Sequence, residues 1–236
     1  MQEQTAVITG GTGNLGSVVT RRFLEEGAAV LVPWRSEGGW HKLRDGLPED
    51  LNERLTGFQA DLTDEDQVQD VMHAAAEQSG SIYALLNLAG AFAFGSNVWE
   101  TDLETWTRMM EVNLRTAFLC CKHALPAMLE RGAGRIVNVS SKAAVDVQAG
   151  AAAYAVAKSG ILTLTRAMRE ELKGTGVSVY ALMPAIIDTP TTRRIMPEGD
   201  HNRWVSPERI ADVLLALCGD RMEAAGGTVV RVFGRL

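Results

Sequence analysis

Short apolar, β-branched runs alternate along the chain with longer stretches in which apolar residues recur at helical spacing. The runs fall at 5–9, 28–32, 55–60, 82–88, 135–139, 177–183 and 228–233. The helical stretches fall at 15–26, 64–78, 103–130, 152–173 and 207–217. Strand–helix alternation of this kind predicts an α/β fold, a Rossmann-like doubly wound parallel sheet of about seven strands. Several runs are apolar throughout rather than at every second position, as expected where helices cover both faces of a sheet.

Two segments break the pattern and read as irregular. Residues 36–52 are rich in glycine and charge, and 189–205 carry two prolines. The second follows the carboxyl end of a strand, where open α/β sheets place ligands, and is expected to form a substrate loop. With no internal repeat and no low-complexity linker, residues 1–236 are expected to form a single domain.

Composition narrows the function. A net charge of −6 argues against general affinity for nucleic acid or an anionic membrane. No apolar run reaches the roughly 18 residues of a membrane span, and the opening segment MQEQTAVITGG carries no secretory pattern. Cys120, Cys121 and Cys218 have neither metal-binding nor CxxC spacing and read as buried free thiols. A cytoplasmic protein with no metal site is the expectation.

Chemistry begins directly after the first run. Gly10, Gly11, Thr12, Gly13, Asn14, Leu15 and Gly16 open a helix, and Gly11, Gly13 and Gly16 satisfy G-x-G-x-x-G in its strand–turn–helix context. Missing side chains let backbone approach a pyrophosphate, and the helix amino end supplies N–H donors. A tight glycine turn without ligand is the alternative. Taken with Thr9, the run also resembles T-G-x-x-x-G-x-G of the short-chain dehydrogenase/reductase family. Asn14 stands where the middle glycine belongs, and asparagine tolerates left-handed backbone better than most residues. Read through Gly13, the spacing resembles instead the longer nucleotide-sugar epimerases, whose extra carboxyl-terminal region has little room here.

Further motifs resemble the short-chain family in order and spacing through most of the chain. They are Asp61-Leu62, Asn87-Leu88-Ala89-Gly90, Asn113, Ser140-Ser141, Tyr154-x-x-x-Lys158, and Pro184-Ala185-Ile186-Ile187-Asp188-Thr189. Leu88 and Ala185 replace an asparagine and a glycine of the family pattern. The resemblance implies a cofactor site of Gly10, Thr12, Asn14, Leu15, Gly16, Asp61, Leu62, Asn87, Ala89, Gly90, Tyr154, Lys158, Pro184, Ile187 and Thr189. Asp61 would contact adenine, or serve simply as a turn or helix cap. NAD-binding members place an acid near the position of Trp34. This chain offers Arg35 and Ser36 instead, which favours NADP(H) over NAD(H), because an arginine fork suits a 2′-phosphate. A solvated surface arginine is the plain alternative.

The i,i+4 spacing of Tyr154 and Lys158 puts both on one helix face. A phenol titrates near ~10 and is a poor acid–base catalyst at neutrality, and a neighbouring ammonium is expected to lower that value. The resemblance implies that Ser141 holds the substrate oxygen, Tyr154 exchanges its proton, Lys158 stabilises the phenolate and Asn113 supports a water-mediated relay. The substrate would be a small carbonyl or alcohol. Ala91, Phe92, Phe94, Val145, Gln148, Met196 and Trp204 would wall its pocket, or else pack the loops themselves. Asp188, Thr189, Pro190, Arg193, Met196, Pro197, Glu198, Asp200, Trp204 and Lys142–Ala144 also resemble dihydropteridine reductase, so pterin reduction is a second reading. A non-catalytic NADP(H)-binding regulator on the same fold is a third. Apolar residues on two long helices, Phe118, Leu119, Leu125 and Met128 with Ile161, Leu162, Leu164 and Met168, suggest a homodimer or homotetramer.

Overall fold

Continuous apolar strands need helices on both sides, and the chain provides them. In the computed structural model, which describes residues 1–234, the strands are β1 (Thr5–Thr9), β2 (Ala29–Trp34), β3 (Leu55–Gln59), β4 (Ala84–Asn87), β5 (Gly134–Val139), β6 (Val177–Pro184) and β7 (Val229–Val232). They form one seven-stranded sheet in the order β3-β2-β1-β4-β5-β6-β7, with every neighbouring pair parallel. The chain winds outward from β1 to β3 and then returns to β4. The segments after β1 and β4 therefore flank the switch point where such sheets bind ligands.

Side chains of β1 alternate between two cores. Ala6 and Ile8 join Val30, Val32 and Leu86 beneath Phe23 and Leu24 of α1 (Asn14–Glu25) and Ile210, Leu214 and Leu217 of the last long helix. Val7 joins Leu31, Leu85 and Ile136 beneath helical residues Val68, Val71, Met72, Leu119 and Met128 on the other face. Each such fully buried side chain contributes about 1.5–3 kcal/mol. β1, β4, β5 and β6 are buried along their whole length, whereas edge strands β3 and β7 are only half-buried.

Residues 36–52 are helical rather than irregular: α2 (Glu37–Asp45) and α3 (Glu49–Asn52) follow β2. Gly38 and Gly39 hide the helix in the sequence because glycine disfavours helix by about 1 kcal/mol. Ser36 overcomes this by accepting from the Gly39 N–H, while Leu43 and Leu51 are buried. Next come α4 (Glu65–Ser79), capped by Asp64, and the stretch expected as one helix over 103–130. That stretch is α5 (Leu103–Met110), a π-helical turn (Glu111–Arg115) and α6 (Thr116–Arg131). The substrate-loop segment also holds structure. After α7 (Ala152–Glu171) and β6, Thr189 caps α8 (Pro190–Ile195), Pro190 suits its first turn, and a 3₁₀ turn spans His201–Arg203 before α9 (Pro207–Cys218).

Cys120, Cys121 and Cys218 are free and buried, and burial pushes the Cys121 and Cys218 thiols up to about 12. Among the described residues no helix is long and apolar enough to cross a membrane.

Candidate active site

The glycine turn is built by exclusion. Gly10 has φ of 67°, and a Cβ there would lie 2.9 Å from the Ala89 backbone nitrogen. A Cβ on Gly16 would strike the Gly10 carbonyl oxygen. Asn14 is not left-handed; it is the first residue of α1, so the middle position of the motif does not need glycine's freedom here. Ala185 likewise has no positive φ. Thr9 Oγ1 accepts from the Leu88 and Ala89 N–H groups, both at 3.1 Å, and so fastens the turn to the segment after β4. No side chain caps the first turn of α1. Its free N–H groups beside a backbone-only cradle fit the pyrophosphate of a dinucleotide.

At the end of β2, Arg35 is exposed and faces Asp61 across 3.9 Å. Asp61 Oδ1 accepts from the backbone N–H and hydroxyl of Thr63, and these two bonds, with Arg35 beside them, hold its carboxyl below the ordinary range. Asp61 is thus a turn residue that also faces Arg35. The Ser36 hydroxyl accepts the Gly39 bond and keeps its own proton to donate. Trp34, at the position of the family's acid, stacks on Trp40, and Trp40 occupies the space a Cβ on Gly57 would need. A cavity of about 550 Å³ between α1, α2 and α9 reaches Thr12, Gly13 and Asn14, but none of Ser141, Tyr154 and Lys158 lines it.

Ser141, Tyr154 and Lys158 come together where β5 ends and α7 begins. The Ser141 hydroxyl lies near the Tyr154 phenol and favours its ionised form, and it accepts from the Ala143 N–H at 3.2 Å. Burial raises the phenol above its usual value, and the nearby Ser141 hydroxyl pulls it back only in part. Lys158 is buried, its amine is pulled down to about 8, and Nζ donates to the Val139 carbonyl at 3.0 Å. Nζ lies 5.9 Å from the Tyr154 ring centroid. In this geometry the phenol is therefore shifted upward rather than downward as the i,i+4 spacing suggested, because desolvation penalises the phenolate.

Asn113 sits in the π turn, buried rather than on an exposed face. Its Oδ1 accepts from Ala91 N–H at 3.2 Å, and its Nδ2 donates to the Ala91 and Met109 carbonyls. A Cβ on Gly90 would lie 2.6 Å from Asn113 Oδ1 and 3.3 Å from Lys158 Nζ. The absent side chain lets both the amide and the ammonium approach the Gly90 backbone closely. Asn87 Nδ2 donates to Asn138 Oδ1 at 2.8 Å, tying β4 to β5.

Phe92 meets the Tyr154 ring edge-on, centroids 4.9 Å apart, and Phe94 stacks on Phe92. Both are exposed, as are Val145 and Met196. Trp204, expected among them, is buried, packed against Gly199 and 4.3 Å from the His201 ring. Asp188 and Arg193 form a two-bond ion pair at 2.6 and 2.8 Å. The residues that resemble dihydropteridine reductase here mostly build their own loop. Thr189 is buried and bonded to Thr192, Pro184 ends β6, and Ile187 pairs with Val205. Leu62 packs on the second core, beside Asp61.

Three contributors lay outside the sequence-derived site. Thr9 was visible as a motif letter, but its role as a double acceptor was not. Ser140 donates to the Lys158 carbonyl at 2.7 Å, fixing α7. The Val139 carbonyl is backbone and leaves no trace in residue identity.

A glycine cradle at the switch point and a Ser–Tyr–Lys cluster beside it define a nicotinamide-dependent oxidoreductase. The short chain dehydrogenase family profile matches residues 4–199, and the chain belongs to that family. It is 33% identical to cis-4-hydroxycyclohexanecarboxylate dehydrogenase of Sinomonas cyclohexanicum, over 98% of this chain and 96% of that protein. It is 28% identical to the 3-oxoacyl-(acyl-carrier-protein) reductase FabG of Thermotoga maritima, over 100% and 98% of the two chains. Among solved structures, actinorhodin polyketide ketoreductase with NADPH superposes with a TM-score of 0.89 at 29% identity, covering 98% of this chain and 96% of that one. The chain is an oxidoreductase enzyme of this family, which sets aside a non-catalytic role.

Proposed function

We propose that the enzyme transfers a hydride between NADP(H) and a small ketone or secondary alcohol, with Tyr154 as general acid–base. The observation that carries this is the grouping of the Tyr154 phenol with the Ser141 hydroxyl and the buried Lys158 ammonium, whose Nζ lies 5.9 Å from the Tyr154 ring centroid. The bound nicotinamide would supply or accept the hydride at the substrate carbon. Ser141 and Tyr154 hydroxyls would hold the substrate oxygen, and in reduction Tyr154 delivers its proton as that oxygen becomes negative. Lys158 stabilises the phenolate left behind. Asn113 and Lys158, both close to the Gly90 backbone, would hold the water that returns the proton.

Arg35 and the capping hydroxyl of Ser36 support NADP(H), since both can donate to a 2′-phosphate at the start of α2. Thr189 and Ile187 would flank the nicotinamide from the loop side. Exposed Phe92, Phe94, Val145 and Met196 make an apolar approach to Tyr154, suited to cyclic or aliphatic groups. The relatives named for a hydroxycyclohexane acid, a 3-oxoacyl thioester and a polyketide fit such a pocket. Three buried thiols suit a reducing compartment, and we take the enzyme to be cytoplasmic.

The test is NADPH oxidation against cyclic ketones, 3-oxoacyl thioesters, quinones and quinonoid pterins. Turnover of a ketone or thioester with NADPH, above that with NADH, is expected. Turnover confined to quinonoid pterins, or a preference for NADH, contradicts the proposal.

A further inference from the structure

Asn14 departs from the family's glycine motif, and its side chain has a partner far along the chain. From the first position of α1, Nδ2 donates to Thr191 Oγ1 at 2.9 Å. Thr191 lies in the first turn of α8, next to the Thr189 cap. Among the described residues, this is the one hydrogen bond or ion pair that joins α8 to anything outside residues 185–205. The other bonds of α8 are internal to its segment: Thr189 with Thr192, Arg193 with Asp188, and the Met196 N–H with the Thr192 carbonyl. A six-residue helix is too short to be stable by itself, and Ile195 and Met196 at its far end are exposed rather than packed into a core.

The bond joins the amino end of α1 to the segment that carries α8. On one side are the uncapped N–H groups of α1, and on the other the loop that carries Thr189. Glycine at position 14 could not reach across. We infer that Asn14 is a positioning residue whose amide straps α8 over the glycine turn, so that a bound dinucleotide leaves only after this bond opens. The inference rests on the dinucleotide reading of the glycine turn. One neutral hydrogen bond corresponds to about a threefold to tenfold change in dissociation rate.

The experiment uses the full chain with NADPH as probe and compares Asn14→Gly, Thr191→Val, Thr191→Ser and the Asn14→Gly/Thr191→Val double variant. Dissociation is followed by stopped-flow nucleotide fluorescence, and strap opening by tryptic cleavage after Arg193 and Arg194 in the NADPH-saturated protein. N14G and T191V should each speed dissociation about threefold to tenfold and hasten cleavage. The double variant should go no further, and T191S should behave as wild type, because it keeps the hydroxyl. An effect of N14G without one of T191V, or fully additive effects, overturns the strap while leaving the dinucleotide site standing. A wild-type chain that binds neither NADPH nor NADH overturns both.

Discussion

The Lys158 ammonium donates to the Val139 carbonyl at 3.0 Å from a position almost closed to solvent, with no carboxylate beside it. Burial alone accounts for its amine falling from 10.5 to about 8. The folded value lies below the unfolded one, so the unfolded chain binds more protons between about pH 8 and 10.5 and stability rises through that window. Below pH 8 the buried charge costs of order 3 kcal/mol. Replacing Lys158 by Met should abolish turnover yet stabilise the protein at pH 7 by order of 1–3 kcal/mol. It should also remove the rise above pH 8. Urea unfolding at pH 7 and pH 10 checks both, and a variant that is destabilised at pH 7, or that keeps the rise, would contradict the account.

The Ser141 hydroxyl pulls the Tyr154 phenol down against the rise from burial. Alcohol oxidation requires the phenolate, so its kcat/KM should rise with pH. Ser141→Ala should lower the rate by about 10²–10³-fold, by loss of an oxygen-holding donor, and move the rising limb to higher pH. A pH–rate profile decides it. A limb that stays put or moves downward shows that Ser141 does not tune the phenol.

Arg35 is exposed, and among the described residues its one close anion is Asp61 at 3.9 Å, which leaves its fork open to a phosphate. Arg35→Ala should weaken NADPH by about 2 kcal/mol and NADH by much less. Titration of both cofactors measures the difference, and equal losses would remove Arg35 from the 2′-phosphate site.

The sheet was legible because β1, β4, β5 and β6 are mainly apolar and buried at every position, so helices must cover them. The helix α2 was not, because Gly38 and Gly39 outweigh in propensity what the Ser36 cap and buried Leu43 supply in tertiary context. The π turn that buries Asn113 leaves the apolar period of 103–130 almost unbroken and was invisible. Residue types at the site could be read from spacing. The upward shift of Tyr154 could not, since it depends on burial, and neither could the bond from Asn14 to Thr191.

Apolar surface on the long helices was also only partly legible. Ile161, Leu162, Met168, Leu119 and Met128 are buried in the chain's own core, so they cannot form an interface. Leu103 and Trp106 of α5, Phe118 of α6 and Val156 of α7 are exposed instead. A two-fold pairing of these helices would cover them. Light scattering at micromolar concentration should return at least twice 25.5 kDa. An active monomer would exclude that assembly.

The central claim is that Tyr154 moves the proton. Tyr154→Phe keeps the ring that Phe92 packs against edge-on and removes only the hydroxyl near Ser141. NADPH oxidation with the best ketone substrate should fall by at least about 10²–10⁴-fold, the range for loss of a general acid, while the NADPH dissociation constant changes less than about twofold. A variant that keeps most of the wild-type rate would contradict the mechanism outright.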